Sequence, residues 1–129
     1  MPRNADDVET FLYRLNRTFD SESGTFLVSS GTEGPPIALR VAEPIVVARV
    51  DIGLMPTDDA KRLKMFRKLL EFNATDLVHA AYGLEGDEIV LSAGLELENV
   101  DMNELAAVLS DIDLALARHV KILRALALD

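Results

Sequence analysis

Between Lys68 and Leu95 the sequence sets out Asn73, Thr75, Asp76, His79, Tyr82 and Ser92, and a second imidazole follows at His119. These residue types carry proton transfer, nucleophilic attack or metal ligation when they converge. Convergence has to be legible as spacing. A metal site needs several ligands at helical or loop intervals, and a hydroxyl nucleophile needs a base beside it. Neither His79 nor His119 has a second ligand at such an interval, and Ser29, Ser30, Ser92 and Ser110 have no base that spacing assigns to them. There is no G-x-S-x-G elbow, Walker loop or dinucleotide fingerprint. Asp20-Ser-Glu-Ser-Gly24 starts like a calcium loop but lacks its third acidic position and terminal Glu, so it reads as a turn that ends a helix. Asn16 and Asn73 fit the glycosylation pattern, which carries no weight without a secretory signal. The expectation is a chain without catalytic residues, metal or cofactor. Its imidazoles should be hydrogen-bonded structural groups, and Tyr82 should pack with Phe72 while its hydroxyl keeps a polar partner.

Composition narrows the class. The 129 residues suit one domain covering 1–129, and 49% are hydrophobic, enough for a sizeable core. No cysteine is present, so disulfides and thiolate chemistry are excluded. The first residues hold no apolar run of signal-peptide type, and nothing approaches the roughly 18 apolar residues of a membrane span. A cytoplasmic protein with no membrane partner is expected. The net charge of −9 argues against nucleic acid, whose phosphates need a basic footprint. The one basic cluster is Lys61, Arg62, Lys64, Arg67 and Lys68, read as the solvated side of a helix.

The elements that would position these groups follow from periodicity. Asp6 and Asp7 can cap a first helix, with Val8, Phe11, Leu12, Leu15 and Phe19 at helical spacing. Strands are expected at 25–30, 37–42 and 45–52, with turn chemistry at 31–36 and a break at Glu43-Pro44. Alternation puts Ile37, Leu39, Val41, Val46, Val50, Ile52, Ile89 and Leu91 on a buried face. Thr57 reads as the cap of a helix over 57–72, which Asn73 stops, and a hairpin of 77–84 and 89–95 follows. Asp101 and Glu104 then open a last helix of about 25 residues. The expected fold is α+β, an antiparallel sheet with helices in the order α-β-β-β-α-β-β-α.

In helix 57–72 the apolar positions Leu63, Met65, Phe66, Leu69, Leu70 and Phe72 cover about half the circumference, wider than the stripe of roughly 100° that a surface helix needs. The helix is expected to pack through Phe66 and Leu70. That leaves Met65, Leu69 and Phe72 as a surplus edge, unless those three lie under the sheet or the last helix instead.

Leu69-Leu-Glu-Phe-Asn73, then the run from Ala80 to Leu105 with its acidic turn, Leu-rich strand and acidic helix cap, resembles the C-terminal half of the type III secretion chaperone (CesT/Tir chaperone) and YbjN-like superfamily. The element order extends the resemblance over nearly the whole chain. It implies a small acidic homodimer that binds another polypeptide, such as a segment of a secreted effector, without catalysis. It also implies that helix 57–72 and the following hairpin contribute to a two-fold interface, with Met65, Leu69, Phe72 and Tyr82 at or near it. The alternatives are a YbjN-like stress or regulatory dimer without a dedicated client, and a small-ligand-binding domain on the same scaffold.

Overall fold

The computed structural model describes residues 4–30 and 34–128. Its first helix, α1 (Ala5–Arg14), starts one step earlier than expected. Asn4 is the cap: its side chain accepts the Asp7 N–H at 3.1 Å, and the Asp7 carboxylate accepts the Asn4 N–H at 3.0 Å. Two orphan amides of the first turn are thereby satisfied reciprocally. Val8, Phe11 and Leu12 face the core. The helix stops at Arg14, and Asn16 takes a left-handed φ of 57° just after it.

Phe19 is therefore not the last helical contact. It opens β1 (Phe19–Glu22), which pairs with β2 (Thr25–Val28) through a two-residue turn. Ser23 and Gly24 have φ of 46° and 82°, the double positive φ of a hairpin turn that matches strand twist. The expectation that Asp20–Gly24 ends a helix is thus corrected. Thr25-Phe-Leu-Val alternates directly after a Ser-Gly pair, which is hairpin chemistry. The order becomes α-β-β-β-β-α-β-β-α, one strand more than expected within the same α+β class.

The remaining elements are β3 (Ile37–Ala42), β4 (Ile45–Leu54), α2 (Asp59–Thr75), β5 (Ala81–Glu85), β6 (Glu88–Glu96) and α3 (Met102–Ala127). The Glu43–Pro44 bond between β3 and β4 is cis. The expected turn at 31–36 falls partly outside the described residues, since 31–33 are not among them. Asp58, not Thr57, caps α2 by accepting the Lys61 N–H at 3.1 Å. Asp101 caps α3 as expected, accepting the Glu104 N–H at 2.7 Å.

The described strands form one sheet in the order β1-β2-β3-β4-β6-β5, every neighbour antiparallel. Ile37, Leu39, Val46, Val50, Ile52, Ile89 and Leu91 are all buried on its inner face, and Val41 is half-buried at the margin. The same core takes in Val8 and Leu12 from α1, Met65, Leu69 and Phe72 from α2, and Leu105, Leu109, Ile112 and Leu123 from α3. The outer face carries no helix among the described residues. Register places Thr25, Leu27, Ala38, Arg40, Val47, Arg49 and Ser92 there.

Candidate functional site

Helix α2 has two apolar edges, and the structure decides which one the chain keeps for itself. Met65, Leu69 and Phe72 are 0%, 5% and 7% exposed. Leu63 and Leu70 are each 68% exposed, and Phe66 is half-buried. The expected packing through Leu70 is therefore reversed, and the surplus edge is Leu63 to Leu70. An apolar arc of half a turn leaves the choice of edge open. Here the polar groups made it: Arg62 reaches down to the Pro56 carbonyl and Asp87, and Asn73 to β5, so the stripe between them turns inward.

Asn73 does not stop the helix, which runs on to Thr75. Its amide instead behaves as a piece of strand. Asn73 Oδ1 accepts the Tyr82 N–H at 2.7 Å, and Asn73 Nδ2 donates to the Tyr82 carbonyl at 3.1 Å. Since β5 is an edge strand, one residue of that edge is closed by a side chain. Beyond it, Phe66, Leu69, Leu70, Tyr82, Gly83 and Leu84 line a shallow hollow of about 210 Å³. Leu70 is the ridge between this hollow and a wider one lined by Leu63, Arg67, Glu71 and Ala74. Of the four residues expected at an interface, Leu69 and Tyr82 thus form the floor of an apolar surface, while Met65 and Phe72 lie in the core beneath it.

The residues with chemical potential gather under that floor. The Tyr82 hydroxyl lies 2.8 Å from His119 Nδ1, and His119 Nε2 lies 2.8 Å from Asp76 Oδ2. His119 is 1% exposed, and its ring stacks on Phe72 at 3.6 Å and 7°. The Lys68 ammonium sits 5.1 Å above the Phe72 ring. Burial, reinforced by the charge of Asp76, raises the Tyr82 pKa far above that of a free phenol, so the hydroxyl stays protonated. It donates to Nδ1, and the Nε2–H donates to Asp76, a tautomer assigned from the network. The His119 hydrogen bond, then that of Thr75, lowers the Asp76 pKa. A carboxylate, an imidazole and a hydroxyl in line resemble a nucleophile relay. Here the hydroxyl is a buried phenol held in its neutral form, and both ring nitrogens are used. The arrangement ties α2, β5 and α3 together. His119 is the hydrogen-bonded structural imidazole expected of it, and Tyr82 packs on Phe72 with ring centroids 6.2 Å apart.

His79 takes no part in this cluster. It lies in the exposed segment before β5, not in a strand as expected, because that segment's amides are claimed by α3. The Asp111 carboxylate accepts the N–H groups of Val78, His79 and Ala80 at 3.2, 2.8 and 2.9 Å. Among the described residues no group of three His, Cys, Asp or Glu side chains could hold a metal ion. No described helix is long and apolar enough to cross a membrane. Sequence reading missed the Asp76–His119, Asn73–Tyr82 and Asp111 contacts, which join positions 9 to 43 residues apart. One signal was present: His119 falls in the same helical stripe as Ile112, Leu116 and Leu123, which marks it as buried.

An antiparallel sheet backed on one face by helices, with Asn73, Asp76, Tyr82 and His119 bonded internally and an apolar ridge left bare, is the geometry of a binding scaffold. The CesT_Tir_1 family model matches residues 1–129, and the chain belongs to that family. The fold is that of solved secretion-chaperone structures. One is a chain of the heterodimeric ExoU–SpcU complex from the type III secretion system of Pseudomonas aeruginosa. It matches at TM-score 0.70 and 20% identity, covering 88% of this chain and 95% of that one. YbjN, a putative transcription regulator from E. coli, matches at TM-score 0.62 and 13% identity over 86% and 87% of the two chains. The Yersinia pestis type III secretion chaperone SycH, solved with a fragment of YscM2, matches at TM-score 0.59 and 18% identity over 87% and 98%. No curated protein sequence matches the chain significantly.

Proposed function

We propose that this chain is a non-catalytic, cytoplasmic chaperone-like module. It forms a homodimer through the exposed edge of α2 and holds a segment of a client protein, in the manner of a secretion chaperone. The carrying observation is the ridge of Leu63, Phe66 and Leu70 beside Leu84, left bare by a family member whose nearby histidine, tyrosine and carboxylates are tied up in internal bonds. Exposed apolar patches of this kind mark protein contacts. A two-fold axis lets one such patch serve both subunits. Met65, Leu69, Phe72 and Tyr82 support the interface from below, with Leu69 and Tyr82 at its floor. Both hollows beside the ridge are shallow and open rather than enclosed, which favours a protein over a small ligand.

The test is co-expression with the product of a neighbouring gene, followed by gel filtration and light scattering. A stable complex containing two copies of this chain supports the reading. A monomer that binds no neighbouring product sinks it. The likeness to YbjN supports a second reading, a stress or regulatory dimer without a dedicated client. A stable dimer that retains no encoded neighbour would favour it.

A further inference from the structure

The outer face of the sheet holds a second surface, remote from α2. Its floor is β3, where the outward residues Ala38 and Ala42 are small, and its walls are Thr25 and Leu27 of β2 and Val47 of β4. The trough is about 290 Å³ near Arg40 and continues past Ala38 to Pro35 and Pro36. Two arginines face it, and their states differ. Arg49 is spent: its guanidinium donates to Asp51 at 3.0 Å and also to Glu85. Arg40 is exposed and has no ion pair or hydrogen-bond partner among the described residues. It stands in one row with Thr25 and Val47, an unneutralised cation between apolar walls in a chain of net charge −9.

We infer that the trough along β3 is a docking groove for an extended, acidic client segment, with a carboxylate seated on Arg40 and small or apolar side chains lying over Ala38 and Ala42. This rests on the client-binding reading above and supplies its chemistry. Charge complementarity selects the occupant. A guanidinium donates to a carboxylate in a forked geometry that neither a lysine nor an amide on the client could meet. One unpaired cation in the trough, on a chain of net charge −9, cannot support binding to a phosphate backbone, which needs many. The alanine floor leaves room for side chains that would collide with larger residues on β3. Walls of Thr, Leu and Val bind without demanding a particular sequence.

The probe is a fluorescein-labelled peptide, Ser-Val-Ser-Ala-Glu-Ala-Ser-Val-Ser with blocked ends, beside versions carrying Gln or Lys at the centre. Polarisation at low salt should rank Glu over Gln over Lys, with the Glu peptide bound about fivefold tighter than the Gln peptide. Arg40→Gln should abolish that discrimination, and Arg40→Glu should reverse it in favour of Lys. Circular dichroism of both variants should be unchanged, because the side chain is exposed. Amide shifts on titration should centre on Thr25, Ala38, Ala42 and Val47. Three results would overturn the inference: no charge preference, shifts confined to α2, or displacement of the peptide by a single-stranded oligothymidylate of equal charge. A co-expressed client retained equally by wild type and Arg40→Glu would remove the groove and leave the chaperone reading intact. Loss of every client with the Arg40-dependent ranking preserved would do the opposite.

Discussion

Leu69 and Leu70 are neighbours in sequence with opposite fates, and a glutamate at each tests the proposed interface. Leu69 is 5% exposed, between α2 and the sheet. A carboxylate there loses the burial of the leucine, about 2–5 kcal/mol, and must in addition be desolvated or protonated at a cost of several kcal/mol more. Against a total stability of about 5–15 kcal/mol, Leu69→Glu should unfold most of the population. Leu70 is 68% exposed, so Leu70→Glu should change the stability of the isolated chain by no more than about 0.5 kcal/mol. In a dimer the remaining two-thirds of that side chain would be buried, about 1–2 kcal/mol per copy and about 2–4 kcal/mol for the pair. Dimerisation should weaken by roughly 30- to 1,000-fold, before any repulsion between the two carboxylates. Sedimentation velocity over the micromolar range, with circular dichroism and urea melts, reads both effects. Leu70→Glu should be a folded monomer and Leu69→Glu a largely unfolded chain. A wild type that is monomeric throughout refutes the dimer. An unfolded Leu70→Glu variant refutes the assignment of the helix faces.

Further expectations concern the internal locks. Tyr82→Phe leaves buried His119 Nδ1 without its donor and should cost about 1–3 kcal/mol in chemical denaturation; a cost near zero would mean that the hydroxyl contact is idle. Asp111→Ala strips the acceptor from the amides of three successive residues and should cost about 2 kcal/mol, with faster amide exchange confined to 78–80. Asp76 is held below its ordinary carboxylate pKa by His119 and then Thr75. Its contribution to stability is therefore present above the unfolded-state pKa and is lost as pH falls through the lower folded value. Asp76→Asn should flatten the acid limb of the stability profile, and an unchanged limb would count against the contact. Phe66→Ala should cost less than the 3–5 kcal/mol of a core phenylalanine, because Phe66 is only half-buried.

Alternation and helical period were strong guides where one face alone is buried. The inner residues of β3, β4 and β6 expected from alternation could be read directly, because each misplacement by one residue would exchange core for solvent. Among the features that escaped, two show the physical reason most directly. The β1–β2 hairpin has four-residue strands, and its Asp, Ser and Glu look like helix-ending polar residues until Ser23-Gly24 is recognised as a turn. The facing of α2 escaped because both of its edges are apolar. Hydrophobicity gives the width of the arc, while the tethers of Arg62 and Asn73 set its rotation. Asp76, Tyr82 and His119 were all visible as residue types. Their meeting depends on the register of β5 beside α2 and on the length of α3, which no local pattern encodes.

The same separation of roles explains why the side chains that look reactive are not the ones exposed for recognition. His119, Tyr82, Asp76 and Asn73 bond across α2, β5 and α3, and so fix the rotation that leaves Leu63 and Leu70 outside. Losing one of them would loosen the α2 ridge without touching any partner. The sheet's outer face is insulated from that lock, since its residues alternate with the buried ones along the strands. Helices on one face and the β3 trough on the other put the two candidate surfaces on opposite sides of the chain. A dimer would carry two such troughs, one on the outer face of each copy. One client strand long enough to reach both troughs would bind the second at high effective concentration, so two weak carboxylate-anchored sites could hold it firmly while each alone releases it readily.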